Sequence, residues 1–233
     1  MIPLRDENPT HSRAWMTILL IVINVTVSVI QWLMPEARLQ ELVYGAAMIP
    51  ARLGGSLDAP GLPPAATLIT SQFLHGGLLH LAGNMLFLWI FGNNVEDIFG
   101  PIRFLFFYLL SGVGAALVHY ATAPGSTVPT VGASGAISGV LGAYALMFPR
   151  ARIQTLVILI FWISVVPIPA LLWVGIWFVI QIIQGLASGG TAGGVAWFAH
   201  VGGLLTGVVL LLVFRPRKDR RRGSLSGDSW NRG

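Results

Sequence analysis

Residues 15–33 read Trp15-Met-Thr-Ile-Leu-Leu-Ile-Val-Ile-Asn-Val-Thr-Val-Ser-Val-Ile-Gln-Trp-Leu33. At about 1.5 Å per residue, a helix of this length matches the hydrocarbon core of a bilayer, which is about 30 Å thick. The run is longer than the apolar part of a signal peptide and lacks a small-residue cleavage site, so we interpret it as a retained membrane span. The short segment 1–14 precedes it.

The composition agrees with an integral membrane protein. Of the 233 residues, 55% are hydrophobic and 10% are charged, whereas soluble domains contain roughly 25% charged residues. The chain has no cysteine, which excludes disulfides, thiolate metal sites and a cysteine nucleophile. The net charge of +5 reflects a basic tail, 215–233, that directly follows an apolar run. Such a tail favours anchoring beside anionic lipid over binding to nucleic acid.

Five further apolar runs predict five more spans, at about 78–93, 104–121, 134–148, 169–187 and 198–214. The segment 35–68 is predicted to be a long first loop, and 92–101 a turn rich in Gly and Asn. We read 153–183 as apolar apart from Ser164, but Pro167 and Pro169 interrupt it. The piece 153–166 is therefore expected to be interfacial or re-entrant. The prediction is an all-α bundle of six transmembrane helices forming one membrane domain, 15–214.

The distribution of basic residues predicts the orientation. Six spans put both termini on one side of the membrane, and Lys and Arg concentrate in cytoplasmic segments. With both termini cytoplasmic, the tail lies inside together with Arg5, Arg13, Arg103, Arg150 and Arg152. This leaves Arg38 and Arg52 outside. We expect both termini in the cytoplasm, in the plasma membrane of a bacterium.

Four polar residues within or at the ends of spans form the candidate site: His80 and Asn84 in the second span, Ser134 opening the fourth, and His200 near the start of the sixth. Polar side chains within a membrane are energetically costly, so each is expected to have a hydrogen-bond partner or a functional role. The sequence Gly132-Ala-Ser-Gly135 lets an uncharged loop enter a helix at Ser134, so backbone N–H groups point at whatever binds there. The plainer alternative is that Ser134 caps the helix and the glycines allow close packing.

Helix lengths predict that these residues share one depth. Ser134 precedes Phe148 by fourteen residues, His200 precedes Phe214 by fourteen, and His80 precedes Gly92 by twelve. All three are thus roughly 18 to 21 Å above the cytoplasmic boundary. The fourth and sixth spans each carry two glycines four residues apart, a pattern that allows backbones to approach closely: Gly135 with Gly139, and Gly203 with Gly207. Packing these faces together would bring Ser134 to His200.

A serine hydroxyl becomes a nucleophile when a nearby base takes its proton, and His200 is the candidate base. No Asp or Glu lies within a predicted span; Glu96 and Asp97 fall in the predicted cytoplasmic turn. The sequence therefore predicts a dyad without a carboxylate. His80 and Asn84 are one helical turn apart, so both could donate to an oxyanion. His75 and His119 are interpreted as interfacial hydrogen-bonding residues.

Together these motifs resemble the rhomboid family of intramembrane serine proteases. The resemblance covers about 70–214 and is carried by Thr70-Ser-Gln-Phe-Leu-His-Gly-Gly-Leu-Leu-His80, Leu81-Ala-Gly-Asn84, Gly132-Ala-Ser-Gly135 and Ala199-His-Val-Gly-Gly203 with Gly207. It implies a serine endopeptidase that cleaves transmembrane segments of other proteins without a metal or cofactor. It also implies Ser134 as nucleophile and His200 as general base. His80, Asn84 and the Ser134 N–H would form the oxyanion hole, beside Gly132.

The sequence departs from the family pattern in two places. The Trp-Arg pair that several members carry in the first loop is missing between Pro35 and Thr70, and Ser138 replaces an aromatic residue that packs on the catalytic histidine in some members. We expect Trp197 or neighbouring backbone to hold His200 instead. The competing hypothesis is a non-catalytic rhomboid-like protein that binds transmembrane clients. A transporter lacks support, and a zinc protease is excluded because no His is followed by Glu.

Overall fold

The computed structural model describes residues 1–159, 162–187 and 197–214, and within them the chain is mainly helical. A first strand, β1 (Ile2–Asp6), precedes the long helix α1 (Trp15–Leu33). The short helices α2 (Glu36–Ala46), α3 (Pro50–Leu53) and α4 (Pro64–Thr70) follow. The remaining helices are α5 (Leu78–Phe87), α6 (Asn93–Phe99), α7 (Pro101–Thr122), α8 (Ser134–Met147), α9 (Ala170–Ala187) and α10 (Trp197–Phe214). The predicted polytopic helical bundle is confirmed.

Five of the described helical segments are long and apolar enough to cross a membrane: Trp15–Leu33, Leu78–Phe99, Pro101–Thr122, Ala170–Ala187 and Trp197–Phe214. Helix α8 is shorter, with 14 residues, but it is the most deeply buried. It packs between α7 and α10, and its Tyr144 joins the central aromatic cluster with Phe91 and Trp173. Neighbouring helices surround α8, and its first residue, Ser134, is partly buried and lines a cavity.

The predicted turn at 92–101 is wrong. A π-helical turn (Leu88–Gly92) joins α5 to α6, and the helix continues to Phe99, where Gly100 ends it with φ +79°. Gly92 leaves room for α1, because a Cβ there would lie 3.2 Å from Thr17. The polar side chains bind the N-terminal segment: the Asn94 amide donates to Asp6 at 2.8 Å. Gly92 and Asn94 therefore contact α1 and the N-terminal segment and do not form a turn.

Glu96, assigned from sequence to that turn, caps α1 across the bundle. Its carboxylate accepts hydrogen bonds from the Met16 N–H at 2.9 Å and from the Thr17 N–H and hydroxyl, both at 2.7 Å. Glu96 is 2% exposed. A carboxylate is favourable here because the first N–H groups of a helix have no partner within it and the helix dipole is positive at this end.

Replacing Glu96 by Gln is expected to destabilise the protein by about 1–2 kcal/mol, because one oxygen becomes an NH2 group that faces N–H donors. The midpoint of thermal unfolding in detergent measures the effect. The control is Glu41→Gln, which removes an exposed partner of Arg38 and should shift the midpoint very little. Equal midpoints for the two variants would show that the cap does not stabilise α1.

Of the segment 153–166, predicted to be interfacial or re-entrant, the described residues 153–159 and 162–166 belong to a small sheet that the all-α interpretation did not include. Strands β2 (Arg152–Leu159) and β3 (Trp162–Pro169) pair antiparallel, and β1 pairs with the other edge of β2. The β-branched residues of the run favour strand. Pro167 and Pro169 are compatible with it because β3 is an edge strand, where a missing N–H is tolerated. The sheet lies at the end of α8 opposite Ser134, because the N–H of Ala170 donates to Ala151 just after α8.

Strand β1 is fixed to the bundle by Asp6. Its carboxylate accepts from the hydroxyl of Tyr144 at 2.7 Å as well as from Asn94. Burial raises the pKa of Asp6, although these hydrogen bonds act in the opposite direction. The basic residues Arg5 and Arg152 of the sheet thus lie at the same end of the bundle as the start of α7. The basic tail, 215–233, lies outside the described residues.

The first loop is built around Arg52. Instead of an unstructured connection, 35–68 contains α2, α3 and the start of α4. The Arg52 guanidinium is buried and donates to the carbonyls of Tyr44, Gly45 and Leu62 at 3.1, 3.3 and 2.6 Å. A buried arginine therefore organises this loop in a chain that lacks the Trp-Arg pair.

The predicted contact between α8 and α10 is confirmed. A Cβ on Gly203 would overlap the carbonyl oxygen of Gly135, and a Cβ on Gly207 would overlap the backbone of Gly139. The two helices touch through their backbones at these glycines. This contact determines how closely the first turn of α8 approaches the first turn of α10.

Candidate active site

Ser134 and His200 meet where α8 and α10 begin. The Oγ of Ser134 is 2.8 Å from the Nε2 of His200, which is within hydrogen-bond distance. Ser134 is the first residue of α8, so its backbone N–H has no acceptor within the helix. The structure therefore brings the predicted nucleophile and base together at the positive end of a helix.

The other ring nitrogen of His200 contacts a residue that the sequence interpretation missed. Its Nδ1 is 2.6 Å from the Oε1 of Gln181 in α9. The His200 ring also lies against Trp177, with centroids 5.8 Å apart and planes inclined by 38°, and edge-on to Trp197 at 6.2 Å. The expected Trp197 contact is present. Gln181 was overlooked because 153–183 was read as apolar apart from Ser164, although a glutamine within a span is itself a signal.

No carboxylate of the described residues occupies the position of a third catalytic residue beside His200. The corrected second span contains both Glu96 and Asp97, but Glu96 binds the start of α1, and Asp97 accepts from the His11 N–H and the Ser12 hydroxyl. Both carboxylates are thus engaged at the N-terminal segment, away from Ser134.

His80 lies against Gly132 and lines the same cavity as Ser134. The backbone N–H of Gly76 donates to the Nδ1 of His80 at 3.4 Å, so the neutral ring carries its proton on Nε2. A Cβ on Gly132 would lie 2.7 Å from this Nε2, and Gly132 has φ +122°, which favours glycine. The Gly132 N–H donates to Ser71 at 2.9 Å. Gly132 therefore contributes space beside Ser134, and its own N–H is engaged elsewhere.

Asn84 lies one turn after His80 on α5. It is 7% exposed, and its Nδ2 is buried without a hydrogen-bond partner among the described residues. This Nδ2 is 3.6 Å from the position that a Gly132 Cβ would take. An unpaired buried amide is costly, and here it faces the cavity that holds Ser134. A ligand oxygen in that cavity would satisfy it.

Of the two remaining histidines near the site, His75 differs from its predicted interfacial role. His75 is 3% exposed, and its Nδ1 is 3.2 Å from the hydroxyl of Ser28 in α1. Burial, and then the nearby His80, lower the pKa of His75 to about 4, so it is neutral at pH 7. Its ring packs edge-on against His80 at 5.2 Å. The Nδ1 of His119 is buried without a partner among the described residues.

A cavity of about 630 Å³ opens onto these residues. Its wall includes all five predicted site residues, Ser134, His200, His80, Asn84 and Gly132, together with Gln181. The volume is in the range of pockets that hold a few side chains or a small ligand. A carbonyl beside Ser134 would thus lie near the predicted nucleophile and the predicted donors of α5 together.

A family model for the Rhomboid domain matches residues 64–217, which is more than half of the chain. The chain belongs to the rhomboid family. The match begins in α4 and includes α5, α8 and α10, the helices that carry His80, Ser134 and His200. In this rhomboid α1 precedes the matched residues and packs against α7.

Curated relatives of this rhomboid come from fungi, bacteria and animals. It is 33% identical over 148 residues to rhomboid protein 1, mitochondrial, of Saccharomyces cerevisiae. This match covers 61% of the chain and 40% of the yeast protein. It is 45% identical over 76 residues to rhomboid protease GluP of Bacillus subtilis, a match that covers 33% of the chain and 14% of GluP. It is 39% identical over 88 residues to the presenilin-associated rhomboid-like protein, mitochondrial, of Bos taurus, a match that covers 37% of the chain and 23% of the bovine protein. The matches thus span less than half of each relative.

Proposed function

We propose that this rhomboid is an intramembrane serine endopeptidase that cleaves transmembrane segments of other membrane proteins. The observation that carries the proposal is the 2.8 Å contact between Ser134 Oγ and His200 Nε2 at the N-terminus of α8. Beside it lies the unpaired amide of Asn84. A nucleophile, a base and unsatisfied donors in one cavity are the parts that acyl transfer needs.

In the first step, Ser134 Oγ attacks the carbonyl carbon of the scissile peptide while His200 Nε2 takes the hydroxyl proton. The carbonyl oxygen becomes an oxyanion. His80 Nε2–H, the Asn84 amide and the Ser134 N–H are the donors that would stabilise it. His200 then gives its proton to the leaving amine, and the C–N bond breaks.

In the second step, water attacks the acyl-serine ester. His200 takes a proton from this water, and the same donors stabilise the second oxyanion. Collapse releases the new carboxyl terminus and returns the proton to Ser134 Oγ. The cavity beside Ser134 gives the water a route into the bundle, which we assign to the outer face.

The substrate class follows from the environment of the site. Ser134 lies within a bundle of apolar helices, so a peptide reaching it within the bilayer must come from another membrane protein. The proposed topology has both termini in the cytoplasm, as the basic residues favour. The relatives are bacterial and mitochondrial, and they do not favour the expected bacterial plasma membrane over another membrane.

The experiment is reconstitution of the purified chain into vesicles with a single-span protein whose transmembrane segment contains small residues. A protease should release two fragments, and mass spectrometry should place the new termini inside that segment. A non-catalytic rhomboid-like protein would retain the intact substrate in a stable complex. Complex formation without fragments would overturn the proposal.

Replacing Asn84 by Ala is expected to lower kcat by about 10²-fold with a small change in KM, because one of three oxyanion donors is lost. The residual rate depends on His80 and the Ser134 N–H. The matched control is Asn93→Ala, on the same continuous helix but outside the cavity lining, which should cleave normally. An unchanged rate in Asn84→Ala would remove Asn84 from the oxyanion hole.

A further inference from the structure

Gln181 is a buried polar residue in an otherwise apolar helix. Its side chain is 6% exposed, and its Oε1 lies 2.6 Å from His200 Nδ1. Placing an amide in an apolar span is unfavourable unless it has a partner. The partner of this amide oxygen is the ring whose opposite nitrogen contacts Ser134 at 2.8 Å.

The contact selects one tautomer of His200. An amide oxygen can only accept a hydrogen bond, so Nδ1 must carry the proton. The lone pair of the neutral imidazole is then on Nε2, which faces the Ser134 hydroxyl. With the opposite tautomer, Nε2–H would donate to Ser134 Oγ and could not take its proton. The form selected by Gln181 is therefore the form that can act as a base.

Helix α9 also fixes the plane of the ring. Trp177 is one turn before Gln181 and packs against the face of His200 at 5.8 Å. Residues four apart lie on the same face of a helix, so one face of α9 determines both the ring plane and its protonated nitrogen. Trp177 and Gln181 therefore hold His200 in a chain that has Ser138 where some family members carry an aromatic residue.

We propose that Gln181 is a positioning residue, so that the catalytic unit is Ser134–His200–Gln181 and not a bare dyad. The inference rests on the proposed protease function. Unlike a carboxylate, the neutral amide cannot compensate the imidazolium with a full charge; it stabilises the ring by its dipole and by orientation. Its contribution is to keep the neutral His200 ring in the reactive tautomer before each proton transfer, and to hold the ring in place while it is protonated.

The test compares Gln181→Met with Gln181→Glu. Met has a similar length but no strong acceptor, whereas Glu has the same shape and restores an acceptor. Gln181→Met should lower kcat by about 10²-fold with little change in KM, as expected for a residue that orients a catalytic group. Gln181→Glu should recover most of this loss. The control is Gln184→Met, the same change at an exposed position of α9, which should match the wild type.

An activity-independent measurement keeps this inference separate from the protease proposal. NMR of ¹⁵N-labelled histidine should show His200 protonated on Nδ1 in the wild type and in Gln181→Glu, and a mixture of tautomers in Gln181→Met. Wild-type kcat in Gln181→Met, or an unchanged His200 tautomer in that variant, would overturn the role of Gln181. The expected tautomer in a chain that cleaves nothing would establish the hydrogen bond between Gln181 and His200 but overturn the protease function, and with it the catalytic part of this inference.

Discussion

Replacing Ser134 by Ala should reduce cleavage of a transmembrane substrate by at least about 10⁴-fold, to the background rate. The reason is that His200 then has no hydroxyl to activate and no acyl-enzyme can form. Ala has no Oγ and fits the space already occupied by Ser134, so folding should be unaffected. Release of substrate fragments from proteoliposomes, followed over time, measures the loss.

The control for this variant is Ser111→Ala. Ser111 is a buried serine of α7 that does not line the cavity, and its Oγ has no hydrogen-bond partner among the described residues. Losing that hydroxyl should leave both cleavage and stability close to the wild type. If Ser134→Ala still cleaved the substrate inside its transmembrane segment, the nucleophile would have to be another group.

Replacing Gly203 by Ala should both destabilise the bundle and inactivate it. The new Cβ would overlap the Gly135 carbonyl oxygen, which belongs to the backbone of α8 and cannot rotate away. Helix α10 must therefore move away from α8, which also separates His200 from Ser134. We expect a loss of about 3 kcal/mol, the upper part of the range for overpacking, and a fall in kcat larger than the fall in folded protein.

Gly175→Ala is the matched control for that helix contact. A Cβ on Gly175 in α9 meets nothing within 4 Å, so the substitution should be neutral or stabilise the helix by about 0.5–1 kcal/mol. Thermal unfolding in detergent and cleavage rates compare the two variants. Equal stability of Gly203→Ala and Gly175→Ala would contradict the close α8–α10 contact.

The membrane bundle and the pairing of α8 with α10 were predictable because both depend on patterns local in sequence. Apolar runs have the length of a span, and small residues four apart mark a close helix contact. From the same patterns we predicted that Ser134 and His200 lie at the same depth in the membrane and meet. The depth count for His80 used Gly92 as a helix end, although the helix continues to Phe99.

The other features depend on contacts between distant segments. Asn94 and Glu96 suggested a turn by composition, but they bind Asp6 and Thr17, about 80 residues earlier in the chain. Residues 153–156 pair with a strand at the N-terminus, which sequence periodicity in this region could not reveal. Gln181 was visible as a polar residue within a span, yet its partner became evident only when α9 and α10 were packed together.

The most direct test of an activated serine is to label the purified chain with a fluorophosphonate and map the adduct by mass spectrometry. We predict a single adduct on Ser134 in the wild type and its loss in a folded His200→Ala variant, because the hydroxyl then has no base. Absence of an adduct on Ser134 in the folded wild type, or equal labelling in His200→Ala, would contradict a serine nucleophile activated by His200.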